Sequence, residues 1–252
     1  MTDPTIVRVD TAADQARAAA DRFVRLAEDA IGRRGRFMVA LAGGSTPRAM
    51  YRRLADPSGP GARVGWPDVH VFWGDERSVP PADPQSNYRM AREALLDHVA
   101  IPTDRIHRVP AELAPAEAAE AYERTLRKVF AIDEGDVPVF DLILLGMGED
   151  GHTASIFPRS DVVGERVRLV AAPWVEPLGV FRITVTPPVL EAAVHVIVLV
   201  SGSGKAAALR DVLEGPFLPD RFPAQCLREA QGDVVWLADA AAAARLRPSS
   251  GA

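Results

Sequence analysis

Residues 140–155 read FDLILLGMGEDGHTAS. The first seven, FDLILLG, are nearly all apolar and stop on a glycine, so 140–146 predicts a strand buried on both faces. A strand with no solvent face belongs to a parallel sheet covered by helices on both sides. The turn that follows, GMGEDGHT, is rich in glycine and polar groups. Two other places share the design of apolar strand, glycine-rich turn and helix: LAGGSTP at 41–47 and VSGSGK at 200–205. In a parallel sheet such turns all lie at the carboxyl ends of the strands, the edge where open α/β sheets bind ligands.

The rest of the chain fits this frame. Residues 11–33 predict a long helix, because Ala16, Ala20, Phe23, Ala27 and Ile31 recur on one face. A strand follows at 36–42, then a helix at 45–55 with Ser45 or Thr46 as cap and Pro47 in its first turn. Residues 68–73 predict a strand. The stretch GDERSVPPADPQSN, 74–87, reads as a long loop, and long loops in compact proteins tend to be functional. Helices are expected at 88–99, capped by Ser86 or Asn87, and at 115–130. Residues 159–180 show no decisive pattern. Strands are then expected at 181–186, 194–202 and 234–239, with helices from 187, over 205–213 and over 241–246. The expected class is α/β, a mainly parallel sheet with helices on both faces, in one domain spanning 1–252.

Composition bounds the function. The 252 residues are 48% hydrophobic and 25% charged, which excludes disorder, a coiled coil and a collagen-like repeat. A net charge of −5 disfavours nucleic acid or an acidic membrane as partner, so an anionic ligand must meet a local cationic pocket. The single cysteine, Cys226, excludes an intramolecular disulfide and a thiolate-rich metal cluster, and no base neighbours it in sequence. The start MTDPTIVRVD has no basic-then-apolar leader, and no apolar run approaches a bilayer span of about 20 residues. A cytoplasmic protein is expected.

The glycine turns suit a phosphate, since glycine lets backbone N–H groups approach it and a helix N-terminus adds a favourable dipole. Neither nucleotide fingerprint fits well. GSGK lacks the spacing of a P-loop, and GMGEDG has the letters of a dinucleotide turn but no strand clearly ends at the acidic Glu165. His152 is the most informative residue. It sits just past the buried strand, where a neutral imidazole takes a proton from water, and Asp150 or Glu149 is near enough in sequence to orient it. The other histidines, His70, His98, His107 and His195, form no metal-ligand spacing with it. In the triplet Asp75-Glu76-Arg77, the arginine is expected over the pocket with a carboxylate holding it. Arg182 at a strand start and Lys205 at a helix start are candidates to neutralise a phosphate, the arginine by bidentate contact and the lysine as a point charge. Trp66, Trp73, Trp174 and Trp236 share no spacing and are read as core or rim.

At this point the sequence resembles a known family. LAGGSTPRAMYRRLA, VFWGDERSVPPADPQSNYRMAREALL, FDLILLGMGEDGHTASIFP, RITVTPPVLEAA and VLVSGSGKAAALRDVLEG are similar, in order, to the successive motifs of 6-phosphogluconolactonases. The similarity runs from about Ala42 to Ala241, and GEDGHTAS with WGDER and SN is its most specific part. The resemblance implies a modified Rossmann-like sheet shared with glucosamine-6-phosphate deaminases and ribose-5-phosphate isomerases. It implies hydrolysis of 6-phospho-D-glucono-1,5-lactone in the oxidative pentose phosphate pathway, without a cofactor. A small-molecule substrate, no metal and a monomer are expected alongside, although no residue pattern speaks to oligomeric state.

By the same resemblance Gly43, Gly44, Ser45 and Thr46 would cradle the 6-phosphate, with Arg182 and Lys205 as counter-charges. His152 would be the general base toward water, or would protonate the leaving ring oxygen afterwards. Arg77 would steady the developing oxyanion, Asp150 would support the imidazole, and Asp75 and Glu76 would back these groups from behind. Two alternatives share the fold. A deaminase usually continues its DGH turn as AFNEP, where this chain has ASIFP. A sugar-phosphate sensor needs a DNA-binding module and a basic face, and the first 35 residues hold one helix.

Overall fold

The computed structural model describes residues 5–248, so the first four residues of the polar start lie outside the described residues. The chain opens with strand β1 (Thr5–Val9) and helix α1 (Ala12–Arg34). Thr11 caps α1 by accepting the Asp14 N–H at 3.1 Å, and Gly35 ends it in the left-handed region, φ 67°. The predicted apolar stripe is the buried one: Ala16, Ala20, Phe23 and Ala27 face the core, with Ile31 half-buried.

Next come β2 (Phe37–Leu41), α2 (Ser45–Ala55), β3 (Val69–Trp73), β4 (Asp75–Arg77), α3 (Asn87–Ala94) and α4 (Pro115–Phe130). The second half holds β5 (Leu142–Gly146), β6 (Val170–Ala171), β7 (Trp174–Val175), β8 (Val180–Val185), α5 (Pro187–Glu191), β9 (His195–Val200), α6 (Ala206–Glu214) and β10 (Asp233–Asp239). Six strands form a sheet in the order β1-β10-β9-β5-β2-β3, and every pair in it is parallel. This is the mainly parallel α/β architecture expected. Leu142 to Leu145 are buried, so the central strand is dry on both faces. Each such leucine contributes about 2 kcal/mol relative to leaving it exposed. From β2 the chain runs outward to β3, whereas β5 pairs with the other side of β2 and the chain moves on to β9. The order therefore reverses between β2 and β5, which opens a crevice beyond their carboxyl ends.

Several expectations are corrected. Strand β1 was not expected, because its five residues alternate weakly and lie at the sheet edge. The loop read over 74–87 begins with a strand: Asp75–Arg77 pairs antiparallel with β8. Strand β8 thus belongs to a second, smaller sheet, ordered β4-β8-β6 with β7 also on β8, and the undecided stretch 159–180 supplies β6 and β7. The cap of α2 is Gly44, with no side-chain cap bond from Ser45 or Thr46. Ser86, not Asn87, caps α3, which ends at Ala94 rather than 99. The last predicted helix is a single 3-10 turn, Ala242–Arg245. Trp66, Trp73 and Trp236 are buried, and Trp174 is 48% exposed. Among the described residues no helix is long and apolar enough to cross a membrane.

Candidate active site

A cavity of about 550 Å³ opens at the carboxyl ends of β2, β5 and β9, and its wall includes Gly43, Asp75, Arg77, His152, Arg182 and Lys205. Residues scattered over 160 positions of sequence meet there because the three strands are neighbours in the sheet. Of Gly43, Gly44, Ser45 and Thr46, only Gly43 lines the cavity, beside Ala42. Gly44 and Ser45 are exposed and Thr46 is half-buried, beside the opening rather than on its wall. Gly44 adopts φ 107°, a conformation that favours glycine, and the first turn of α2 carries no side-chain cap. Its backbone N–H groups are therefore left for an anion.

The His152 turn is held by its own backbone. Gly148 N–H donates to the His152 carbonyl at 2.8 Å, and Gly151 adopts φ 81°. His152 Nδ1 lies 2.6 Å from Asp150 Oδ1, and the same oxygen accepts the His152 backbone N–H at 3.1 Å. A carboxylate only accepts, so in the neutral ring Nδ1 carries the proton and Nε2 keeps its lone pair. Partial burial alone would raise the Asp150 carboxyl, but the ring hydrogen bond, the His152 charge and backbone N–H bonds together hold it below its usual range. A Cβ at Gly148 would fall 2.1 Å from His152 Nδ1 and 2.4 Å from Asp150 Oδ1, so the pair packs on a bare α-carbon. Phe157 covers the imidazole, ring centroids 4.2 Å apart. Glu149 is exposed and forms no bond to the ring. No helix follows this turn, which removes both the helix expected there and the dinucleotide reading of GMGEDG.

Arg77 and Arg182 are register partners across β4 and β8. Arg182 is held below the usual guanidinium range, first by burial and then by the Arg77 charge. Neither arginine, nor Lys205, has a carboxylate within ion-pair distance among the described residues. The carboxylate expected to hold Arg77 is differently employed. Glu76, 2% exposed, accepts the N–H groups of Asn87 at 2.7 Å and Tyr88 at 2.8 Å and the Ser86 hydroxyl at 3.1 Å, anchoring the start of α3. Burial pushes the Glu76 carboxyl up, against the pull of those backbone donors. The Arg77 guanidinium donates to the Gln85 carbonyl instead. Asp75 receives the Ser155 hydroxyl at 2.6 Å and faces the cavity.

The sequence offers Asn87 as a possible cap and as part of the SN motif, with no role at the site, and does not single out Ser155. The structure puts both against Asp75. Cys226 is buried with its thiol pushed up to about 12, far from nucleophilic use. Among the described residues no cluster of three or more His, Cys, Asp or Glu is arranged to hold a metal ion.

A family profile described as glucosamine-6-phosphate isomerases/6-phosphogluconolactonase matches residues 10–236. A 6-phosphogluconolactonase from Synechocystis is 42% identical over 222 residues, 87% of this chain and 88% of that protein. The solved 6-phosphogluconolactonase of Trypanosoma brucei is 32% identical with a TM-score of 0.85, covering 98% of this chain and all of that one. A monomeric glucosamine-6-phosphate deaminase matches with a TM-score of 0.79 over 96% of this chain and 99% of its own, and at 22% identity that likeness concerns the fold alone.

Proposed function

The chain belongs to the glucosamine-6-phosphate isomerase/6-phosphogluconolactonase family, and from that membership we propose that it hydrolyses 6-phospho-D-glucono-1,5-lactone to 6-phospho-D-gluconate in the oxidative pentose phosphate pathway. One observation carries the reading to this site: two arginines opposed across a strand pair, neither with a carboxylate within ion-pair distance among the described residues, line the same cavity as a histidine whose Nδ1 is held by a carboxylate, leaving Nε2 for chemistry. Opposed like charges are unfavourable in a ladder. They are worth keeping where the ligand brings the negative charge.

In the proposed reaction His152 Nε2 takes a proton from water as its oxygen bonds to the lactone carbonyl carbon. The carbonyl oxygen becomes an oxyanion, and Arg77 supplies positive charge to it. The tetrahedral intermediate then collapses, the bond to the ring oxygen breaks, and that oxygen takes the proton back from His152. Water is consumed and one carboxylic acid is formed, with no redox change. Asp150 holds the Nδ1 proton throughout, stabilises the imidazolium and fixes the ring. The phosphate sits over the N-terminus of α2, where Gly43, Gly44, Ser45 and Thr46 offer N–H and hydroxyl groups, with Arg182 and Lys205 as counter-charges. Asp75 supports from the cavity wall, and Glu76 from behind by anchoring the start of α3.

The proposed site is built from one chain, so a monomer of one catalytic unit, residues 1–252, suffices. A phosphorylated sugar does not cross a lipid bilayer unaided, which favours the cytoplasm as the place of reaction. The test is acid release from freshly prepared lactone. A rate above spontaneous hydrolysis, with no ammonia from glucosamine 6-phosphate, supports the reading. Ammonia release would reverse it.

A further inference from the structure

Asn87 is 1% exposed and its side chain is used on one side only. Its Nδ2 donates to the Asp75 carbonyl at 2.9 Å and lies 3.4 Å from Asp75 Oδ1, whereas its buried Oδ1 has no donor. A buried acceptor without a partner is destabilising, because it has given up its hydrogen bonds to water and gained none. Flipping the amide would not relieve that cost, since it would turn an oxygen toward the Asp75 oxygens. The Oδ1 packs instead on the α-carbon of Gly43, where a Cβ would fall 1.8 Å from it.

The other Asp75 oxygen accepts the Ser155 hydroxyl at 2.6 Å. Ser155 lies three residues after His152, in a turn closed by Ile156 N–H to the Thr153 carbonyl at 2.9 Å. Ala154 in that turn has φ 48°, a left-handed conformation that crowds an alanine's Cβ against its own backbone. Such strain persists only where the surroundings dictate it. Ser155 is doubly held, its hydroxyl on Asp75 and its N–H on Thr184 Oγ1 at 3.2 Å. A continuous line of contacts therefore crosses the cavity floor from Gly43 through Asn87, Asp75 and Ser155 to the His152 turn.

We infer that Asn87 and Ser155 are positioning residues for the lactone hydrolysis: together they clamp Asp75 and so set the distance between the phosphate turn at Gly43 and the imidazole of His152. This rests on the hydrolase reading above. Phosphate and reacting carbonyl are opposite ends of one small substrate, so an error in that separation misplaces the carbonyl against His152. Misplacement of about 1 Å costs on the order of 100-fold in rate. The clamp explains why a half-satisfied amide is retained in the floor of the cavity. It also explains why position 43 must be glycine.

The experiment compares Asn87→Ala, Asn87→Asp and Ser155→Ala with the parent chain, each normalised to its folded fraction. The parent rate above spontaneous hydrolysis is measured first, because its absence would refute the hydrolase reading itself. The expected result is a fall in kcat of about 10- to 100-fold in each variant, with KM changed less than about threefold. Asn87→Asp keeps the shape but loses the donor, so it does not rescue. The Asn87→Ala/Ser155→Ala double variant should lose less than the product of the singles, since both act through one carboxylate. A role confined to stability would lower the folded fraction and leave kcat per folded molecule intact. Normal parent turnover with kcat per folded molecule within twofold in either alanine variant overturns the inference.

Discussion

Arg77 and Arg182 stand directly opposite each other in the β4–β8 ladder, and each lines the cavity that holds His152. The pairing costs the unliganded protein something, and under the proposed function a bound dianion would offset that cost. Like charges opposed across strands are worth up to about 1 kcal/mol against the fold. Arg182→Gln is therefore expected to leave the ligand-free melting temperature unchanged or slightly raised. Inorganic phosphate at millimolar levels should raise the melting temperature of the parent chain by mass action and do so much less for the variant. Equal stabilisation of both by phosphate would remove Arg182 from the anion site.

The His152–Asp150 pair allows a graded prediction. His152→Ala removes the proposed base and should lower kcat about 100-fold or more with little change in KM and an unaltered far-UV spectrum. Asp150→Asn keeps the shape but offers the ring an amide that can also donate, so the tautomer is no longer dictated. Its kcat should fall by a smaller factor, on the order of tenfold. Gly148→Ala should resemble Asp150→Asn, because a methyl group there collides with both partners. Steady-state kinetics on fresh lactone decide, and a His152→Ala variant with near-parent kcat would end the base assignment.

The legible parts of this protein were those written in apolar runs and glycine. FDLILLG announced a strand dry on both faces, and three glycine turns announced one ligand edge, because burial and positive φ leave marks in composition. Of the second sheet only β8 left one, in FRITVT. A three-residue strand of Asp75, Glu76 and Arg77 has no apolar alternation to betray it, and its partner in β8 lies about a hundred residues away. The same holds for the use made of Glu76. A carboxylate next to an arginine reads as its ion-pair partner, yet three donors at the start of α3 claim it, and that competition is visible only in three dimensions. Asn87 stands in a legible motif, but that its amide oxygen is left unpaired depends on a contact with Gly43, 44 positions earlier.

Acid sensitivity should arise away from the cavity, at His70 and His107. Their rings stack, with His70 Nδ1 3.2 Å from His107 Nε2, and burial followed by the His70 charge pushes His107 down to about 4. Above the unfolded value of about 6.5 both states are neutral and the pair has no pH effect. Between there and about pH 4 the unfolded chain binds a proton that the folded chain refuses, so stability falls as pH falls. Allowing for solvent around a half-buried ring, the loss between about pH 7 and pH 5 is on the order of 1 kcal/mol. His107→Gln should flatten this part of the stability curve. Denaturant titrations across that range check it, and a parallel slope in parent and variant would place the acid sensitivity elsewhere.

Lys205 depends on a residue from the far end of the chain. Asp239, at the end of β10, accepts the Ser201 hydroxyl at 2.7 Å, the Gly202 N–H at 3.1 Å and the Ala242 N–H at 2.8 Å, so it pins the turn that precedes α6. Burial would raise this carboxyl, but those donors hold it below its usual range. Its contribution is therefore present above about pH 4 and is lost as pH falls through the lower folded value. Two variants separate charge from scaffold. Lys205→Ala deletes one counter-charge from an intact turn and should raise KM several-fold with kcat and melting temperature nearly unchanged. Asp239→Ala leaves three donors without their acceptor and should cost about 2–4 kcal/mol of stability, with KM raised as well because the turn carrying Lys205 is no longer held. If Asp239→Ala weakened the fold yet bound substrate as the parent does, the turn would be placed by its own backbone, and Lys205 would owe nothing to β10.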